Sequence, residues 1–131
     1  MATIYKELLL NTPAEKVWDA LRDFHAVGTR VAPGFVAKSE PDGDVRTITF
    51  ANGTVAREQL VSSDDARQRL VYAIRNERLT HYNAAVQVHE RDPSSTLFTW
   101  TVDVLPHAVA EYVSGQMDAA LKVMKPTLEQ T

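Results

Sequence analysis

Arg46 and Glu58 carry opposite charges in two runs that otherwise read as sheet, one on each side of Asn52-Gly53. If the runs form a hairpin, the register decides whether the two residues meet. A two-residue turn pairs Ala51 with Thr54 and sets Arg46 opposite Gln59. A three-residue loop, Ala51 to Gly53 with Gly53 left-handed, pairs Phe50 with Thr54 and sets Arg46 opposite Glu58. The second register sorts the side chains better. Arg46, Ile48, Phe50, Ala56, Glu58 and Leu60 then share one face, and Val45, Thr47, Thr49, Val55, Arg57, Gln59 and Val61 the other, so it is the expected one. An ion pair on an apolar face has two possible roles. It can close the sheet, or sit solvated on the surface at ~0 to 1 kcal/mol. Alternatively it is a binding handle, with Arg46 donating bidentate hydrogen bonds to a ligand carboxylate or phenolate and Glu58 orienting it. Because taking two charges out of water is costly and gives no reliable stability in return, the handle is the favoured reading.

The following runs extend the same face. Tyr72 and Ile74 alternate with Val71 and Ala73, Tyr82, Ala84, Val86 and Val88 with His81, Asn83, Gln87 and His89, and Phe98, Trp100, Val102 and Val104 with Thr99, Thr101 and Asp103. The face is thus aliphatic and aromatic, with a few polar groups converging on it, as in a small-molecule site. Tyr72, Tyr82 and Trp100 also suit a plain core, where a buried hydroxyl needs only one partner. Other chemistries find no support. His25, His81, His89 and His107 have no metal-ligand spacing, and there is no cysteine to serve as nucleophile, zinc thiolate or disulfide. No phosphate-binding glycine loop, nucleophile triad or catalytic carboxylate pair can be traced. Asp64-Asp65 and Arg67-Gln68-Arg69 read as a solvated turn and strand start.

Elements must hold these residues in place. Residues 3 to 11 alternate as a first strand. "TPAEKVWDALRDF" then reads as a helix with Thr12 as N-cap, Pro13 at its first position and Glu15 completing a capping box, and with Val17, Trp18, Leu21 and Phe24 facing inward. Residues 25 to 34 are irregular or a second short helix. Six strands follow, 35 to 40, 45 to 50, 54 to 62, 68 to 75, 81 to 91 and 96 to 105, separated by turn residues at intervals of roughly ten. Such short connections make neighbouring strands antiparallel. From His107 to Glu129 the chain is helical, with Val109, Tyr112, Val113, Met117, Ala120, Leu121, Met124 and Leu128 on one stripe. Pro126 should end or kink this helix. Gly115 should cost roughly 1 kcal/mol against alanine unless a close approach to the sheet or a ligand requires it. The expected architecture is α+β: a seven-stranded antiparallel sheet wrapped around a long C-terminal helix, with two short helices after the first strand.

The totals agree with one compact domain over residues 1–131. A formal charge of -3 with scattered basic residues shows no nucleic-acid footprint. No apolar run approaches the roughly 18 residues of a membrane span, and the N-terminus lacks a signal-like apolar core, so a cytoplasmic location is expected.

The strings "TPAEKVWDALRDF", "GDVRTITFANGTVAREQL", "LTHYNAAVQVHE" and "LFTWTVDVLP", in that order before a long helix, resemble the START-like superfamily. This is the polyketide cyclase/dehydrase and lipid transport family, whose helix-grip fold is shared with the birch-pollen allergen. The second half is also similar to plant abscisic-acid receptors. There Ala51 to Gly53 matches a gate loop and Glu77 to Leu79 a latch, although "ANG" lacks the gate's Leu-Pro, so hormone-gated phosphatase binding is not implied. The resemblance implies that Arg46, Glu58, Tyr82 and Trp100 point into a cavity between sheet and helix. The expected function is binding of a small hydrophobic or amphipathic molecule (lipid, polyketide or aromatic acid) without a cofactor. Its walls would be Trp18, Ile48, Phe50, Tyr72, Tyr82, Trp100, Val113, Met117 and Leu121. The rivals are a cyclase or dehydratase, with Arg46 stabilising an enolate and Glu58 or Tyr82 moving a proton, and a protein-interaction domain with a filled core. A homodimer is compatible with either outcome.

Overall fold

The computed structural model describes residues 2–130. Seven strands form one antiparallel sheet: β1 (Ala2–Leu10), β2 (Val36–Asp42), β3 (Val45–Phe50), β4 (Val55–Asp64), β5 (Arg69–Ile74), β6 (His81–Asp92) and β7 (Ser95–Leu105). Their spatial order is β1-β7-β6-β5-β4-β3-β2. Strands β2 to β7 are each hydrogen-bonded to their sequence neighbours, as short turns dictate. The long-range pairing is β1 with β7, in register from Ala2 opposite Val104 to Leu10 opposite Thr96. Helix α1 (Ala14–Arg22) follows β1, then a 3-10 turn (Phe24–Ala26) and a π turn (Val27–Val31); α2 (Ala110–Glu129) closes the chain after a 3-10 turn at His107–Val109. This is the helix-grip arrangement that the sequence leads one to expect.

The core lies between the sheet and α2. Val113, Met117, Ala120, Met124 and Leu128 are buried along one stripe of the helix, at the three- and four-residue spacing that an apolar face requires. From the sheet, Phe98, Val102, Val104, Ala84, Val86 and Val88 meet them, while α1 adds Val17, Trp18 and Leu21 at one end.

Three local expectations are corrected. Helix α1 has no capping box: Pro13 is its N-cap, no side chain bonds the first turn, and the Pro13 carbonyl accepts from Lys16 and Val17. Thr12 is instead buried, and its carbonyl accepts the Thr96 hydroxyl at 2.7 Å, which ties the start of α1 to β7. Pro126 does not end α2, which runs on to Glu129. It falls in the last turn, where the helix loses only one interior bond, and Thr127 donates its hydroxyl to the Val123 carbonyl at 2.8 Å in the same turn. Gly115 serves no close approach: a Cβ there would have no neighbour within 4 Å outside the helix backbone.

The β3–β4 hairpin adopts the three-residue loop. The amide of Phe50 donates to the Thr54 carbonyl at 2.8 Å and that of Gly53 to the Phe50 carbonyl at 2.9 Å. Gly53 has φ +89°, a left-handed conformation that glycine adopts without steric penalty. Asn52 accepts the Thr54 amide through Oδ1 at 2.9 Å. The ladder therefore sets Arg46 opposite Glu58 and Ile48 opposite Ala56.

Candidate ligand-binding cavity

On the inner face of the hairpin, Arg46 and Glu58 are 5% and 6% exposed, so nearly all of both charges is withdrawn from water. Arg46 Nε donates to Glu58 Oε1 at 2.7 Å, and Nη1 donates to the Phe24 carbonyl at 2.7 Å. The guanidinium lies over the Phe24 ring at 4.0 Å and within 5.0 Å of the Tyr72 ring. The Nε–H and one Nη1–H are thus committed within the protein, while Nη2 donates to no protein acceptor among the described residues. The chain around Phe24, which turns sharply after α1, supplies what the sequence could not show: a carbonyl and a ring beneath the arginine.

The pair borders a cavity of about 530 Å³ between the sheet and α2. Ile48, Phe50 and Ala56 line it from the hairpin, Leu70, Tyr72 and Ile74 from β5, Tyr82 and Val86 from β6, and Phe98 and Trp100 from β7. From the helix come Val113, Gln116, Met117, Ala120 and Met124. One part of the wall is made by connections: Val27, Val31 and Phe35 after α1, Thr54 beside the hairpin loop, Asn76, Arg78 and Leu79 between β5 and β6, and Ala108, Val109 and Tyr112 at the start of the last helix. The hairpin loop also reaches the helix, where Asn52 Nδ2 donates to the Tyr112 hydroxyl at 3.3 Å.

Among the side chains expected at this site, Arg46, Glu58, Tyr72, Tyr82, Trp100, Ile48, Phe50, Val113 and Met117 border the cavity. Leu121 does not. It is half-buried on a flank of α2, one position beyond the buried Ala120. Trp18 does not either: it is buried on the inner face of α1, and its indole Nε1 donates to Asp65 Oδ1 at 2.9 Å. Asp65, read from the sequence as plain solvated turn, thereby links the β4–β5 turn to α1, helped by Arg22 at 3.5 Å. The contributions of Val27 and Val31 escaped the sequence because they lie in the segment 25–34, which has no clear periodicity.

The polar end gathers around Tyr72. Burial raises its phenol pKa well above the ordinary value, and the negative Glu58 adds to this. Tyr82 is also raised, by burial first and then by Glu58. Both are therefore neutral hydroxyls at physiological pH. Trp100 Nε1 lies close enough to the Tyr72 hydroxyl to oppose that rise slightly, yet it makes no hydrogen bond of normal geometry and is buried without a partner. No group of three or more histidine, aspartate or glutamate side chains suited to a metal ion occurs among the described residues.

A seven-stranded antiparallel sheet wrapped around a long C-terminal helix is the helix-grip fold. The chain belongs to the polyketide cyclase/dehydrase and lipid transport family, whose model matches residues 1–129. Solved structures share the fold. An uncharacterised protein from Bacillus thuringiensis is 22% identical with a TM-score of 0.87, covering 98% of this chain and 100% of that one. Norcoclaurine synthase from Thalictrum flavum, in complex with dopamine and hydroxybenzaldehyde, is 19% identical with a TM-score of 0.73, covering 99% and 88%. A START superfamily protein from Mycobacterium smegmatis is 16% identical with a TM-score of 0.67, covering 97% and 94%. No curated protein matches the sequence significantly. No helix among the described residues is long and apolar enough to cross a membrane.

Proposed function

We propose that this protein binds a small hydrophobic or amphipathic molecule in the cavity between the sheet and α2, with the molecule's polar end toward Tyr72, Tyr82, Trp100 and the Arg46–Glu58 pair. The observation that carries this reading is a cavity of about 530 Å³ that is walled mainly by aliphatic and aromatic side chains and has this buried polar cluster. Its volume falls in the range of roughly 300 to 1,000 Å³ typical of sites for small organic ligands. A filled-core interaction domain is disfavoured for the same reason: side chains at normal interior packing leave few voids larger than a water molecule.

Native mass spectrometry of the purified protein and titration with a fluorescent hydrophobic probe such as Nile red test the proposal. A co-purified small molecule, or saturable one-to-one probe binding, is expected. If both experiments fail, the reading is wrong.

An enzymatic role is the second reading, and one observation favours it. Two phenols that stay protonated in an apolar cavity can donate to oxygen that gains negative charge during a reaction. Glu58 is a poor candidate for a general base, because its Oε1 already accepts the Arg46 Nε–H. Turnover of a candidate carbonyl substrate that is lost in a Tyr82→Phe variant while binding persists would establish that role.

A further inference from the structure

The polar end of the cavity specifies more about a ligand than the apolar walls do, and what it specifies rests on the ligand-binding reading above. A guanidinium carries five N–H donors and a carboxylate about four acceptor sites. Within the protein, Arg46 commits its Nε–H to Glu58 Oε1 and one Nη1–H to the Phe24 carbonyl, each at 2.7 Å. Arg46 Nη2 and Glu58 Oε2 make no hydrogen bond among the described residues. Neither atom is sealed off: the fully buried side-chain atoms without a partner of normal geometry are Ser39 Oγ and Trp100 Nε1. The Arg46 and Glu58 side chains keep 6% and 8% of their surface, and both line the cavity, so that remaining surface opens into it. A charge withdrawn from water with bonding capacity left over is poorly solvated, and a ligand that fills the capacity recovers free energy. Nη2 and Oε2 each share a carbon with one of the two atoms that touch at 2.7 Å, so a free donor and a free acceptor flank one ion pair. The group that answers both is a hydroxyl, which accepts and donates through a single oxygen. Arg78 makes no such demand at the other end of the wall, because it is exposed and its charge stays in water.

We infer that the cavity takes a largely apolar molecule whose inward end is a hydroxyl, phenolic or alcoholic, which accepts from Arg46 Nη2–H and donates to Glu58 Oε2. Its apolar body lies against Ile48, Phe50, Phe98 and Met117. Binding in this way leaves the two bonds that hold the arginine in place undisturbed. An ether oxygen answers the arginine alone, and a hydrocarbon answers neither group.

Calorimetric titration with 2-naphthol, 2-methoxynaphthalene, 2-ethylnaphthalene and 2-naphthoate at pH 7 tests the inference. Naphthol is expected to bind about tenfold or more tightly than its methyl ether, the range of one hydrogen bond to a charged group. Burial of apolar surface alone gives the opposite order, because the ether and the hydrocarbon are more hydrophobic than naphthol. Arg46→Leu combined with Glu58→Leu should erase the advantage of naphthol over the ether. In the unaltered protein, the hydroxyl proton of bound naphthol should exchange slowly with water and show a nuclear Overhauser effect to the Arg46 side chain, a readout that depends on no variant folding. Naphthol binding no tighter than that of the ether overturns the inference, as do Overhauser contacts from the hydroxyl to Arg78 or Tyr112 instead. Tighter binding of 2-naphthoate than of 2-naphthol also overturns it, since the free Arg46 N–H groups would then act as an anion site. In each of these cases the ligand-binding reading survives. If no naphthalene binds while Nile red does, the hydroxyl inference fails alone; if Nile red fails as well, both readings fall.

Discussion

Arg46 holds a charge in the interior only because Glu58, the Phe24 carbonyl and the Phe24 ring all meet it. Such a pair is expensive to break and cheap to replace. Glu58→Ala should destabilise the fold by about 3 to 5 kcal/mol in urea denaturation, since it leaves a buried cation uncompensated, whereas Arg46→Leu combined with Glu58→Leu should cost much less than either single change. Additive losses in the double variant would show that the pair is not coupled. The tyrosines make a separate prediction about pH. Tyr72 and Tyr82 have folded-state pKa values above the ordinary 10.0, so below that pH both folded and unfolded chains keep the phenol proton. Above it the unfolded chain loses protons first, and stability must fall as pH rises. Denaturation midpoints measured between about pH 9 and 11 should decline, and Tyr82→Phe should flatten that decline. An identical slope in the variant would argue against Tyr82 as a source.

At the scale of elements, the hairpin and α2 show different degrees of tolerance. The β3–β4 loop depends on Gly53 at φ +89°, where a side chain would be strained, and the loop's register decides whether Arg46 meets Glu58 at all. Gly115 carries no comparable duty. It is exposed in the interior of a 20-residue helix, with nothing for a Cβ to strike. Gly115→Ala should therefore stabilise the protein by about 1 kcal/mol, seen as a raised denaturation midpoint at unchanged probe affinity. A loss of probe affinity would mean that the glycine serves the cavity after all. The capping box shows the reverse lesson. Its residues are all present at Thr12 and Glu15, yet a tertiary bond from Thr96 engages Thr12, and the helix starts at Ala14 instead.

For the whole molecule, the cavity is the costly feature. Side chains facing about 530 Å³ of space forgo the packing contacts of a filled core, so an occupant should stabilise the fold. A ligand present at 100 times its Kd should add about 2.7 kcal/mol, visible as a rise in Tm that depends on ligand concentration. Val113→Trp, which builds an indole into the wall formed by α2, should abolish that rise while the circular dichroism of the folded protein is kept. A ligand-induced rise undiminished in the variant would place the binding site elsewhere.

The sequence by itself determined the order of the elements, the antiparallel sheet, the buried stripe of α2 and the side chains on the sheet's inner face. Alternation, the 3.6-residue repeat and turn chemistry are local properties that can be read in one dimension. It also favoured the observed hairpin register, because the three-residue loop sorts the side chains better. The tertiary structure decided the rest. It placed the Phe24 carbonyl and ring against Arg46, turned Trp18 away from the cavity toward Asp65, left Leu121 on the flank of its helix, and carried α2 through Pro126. These outcomes depend on which distant groups arrive at a given point and how much space they leave. The size of the cavity exists only once sheet and helix have closed upon each other.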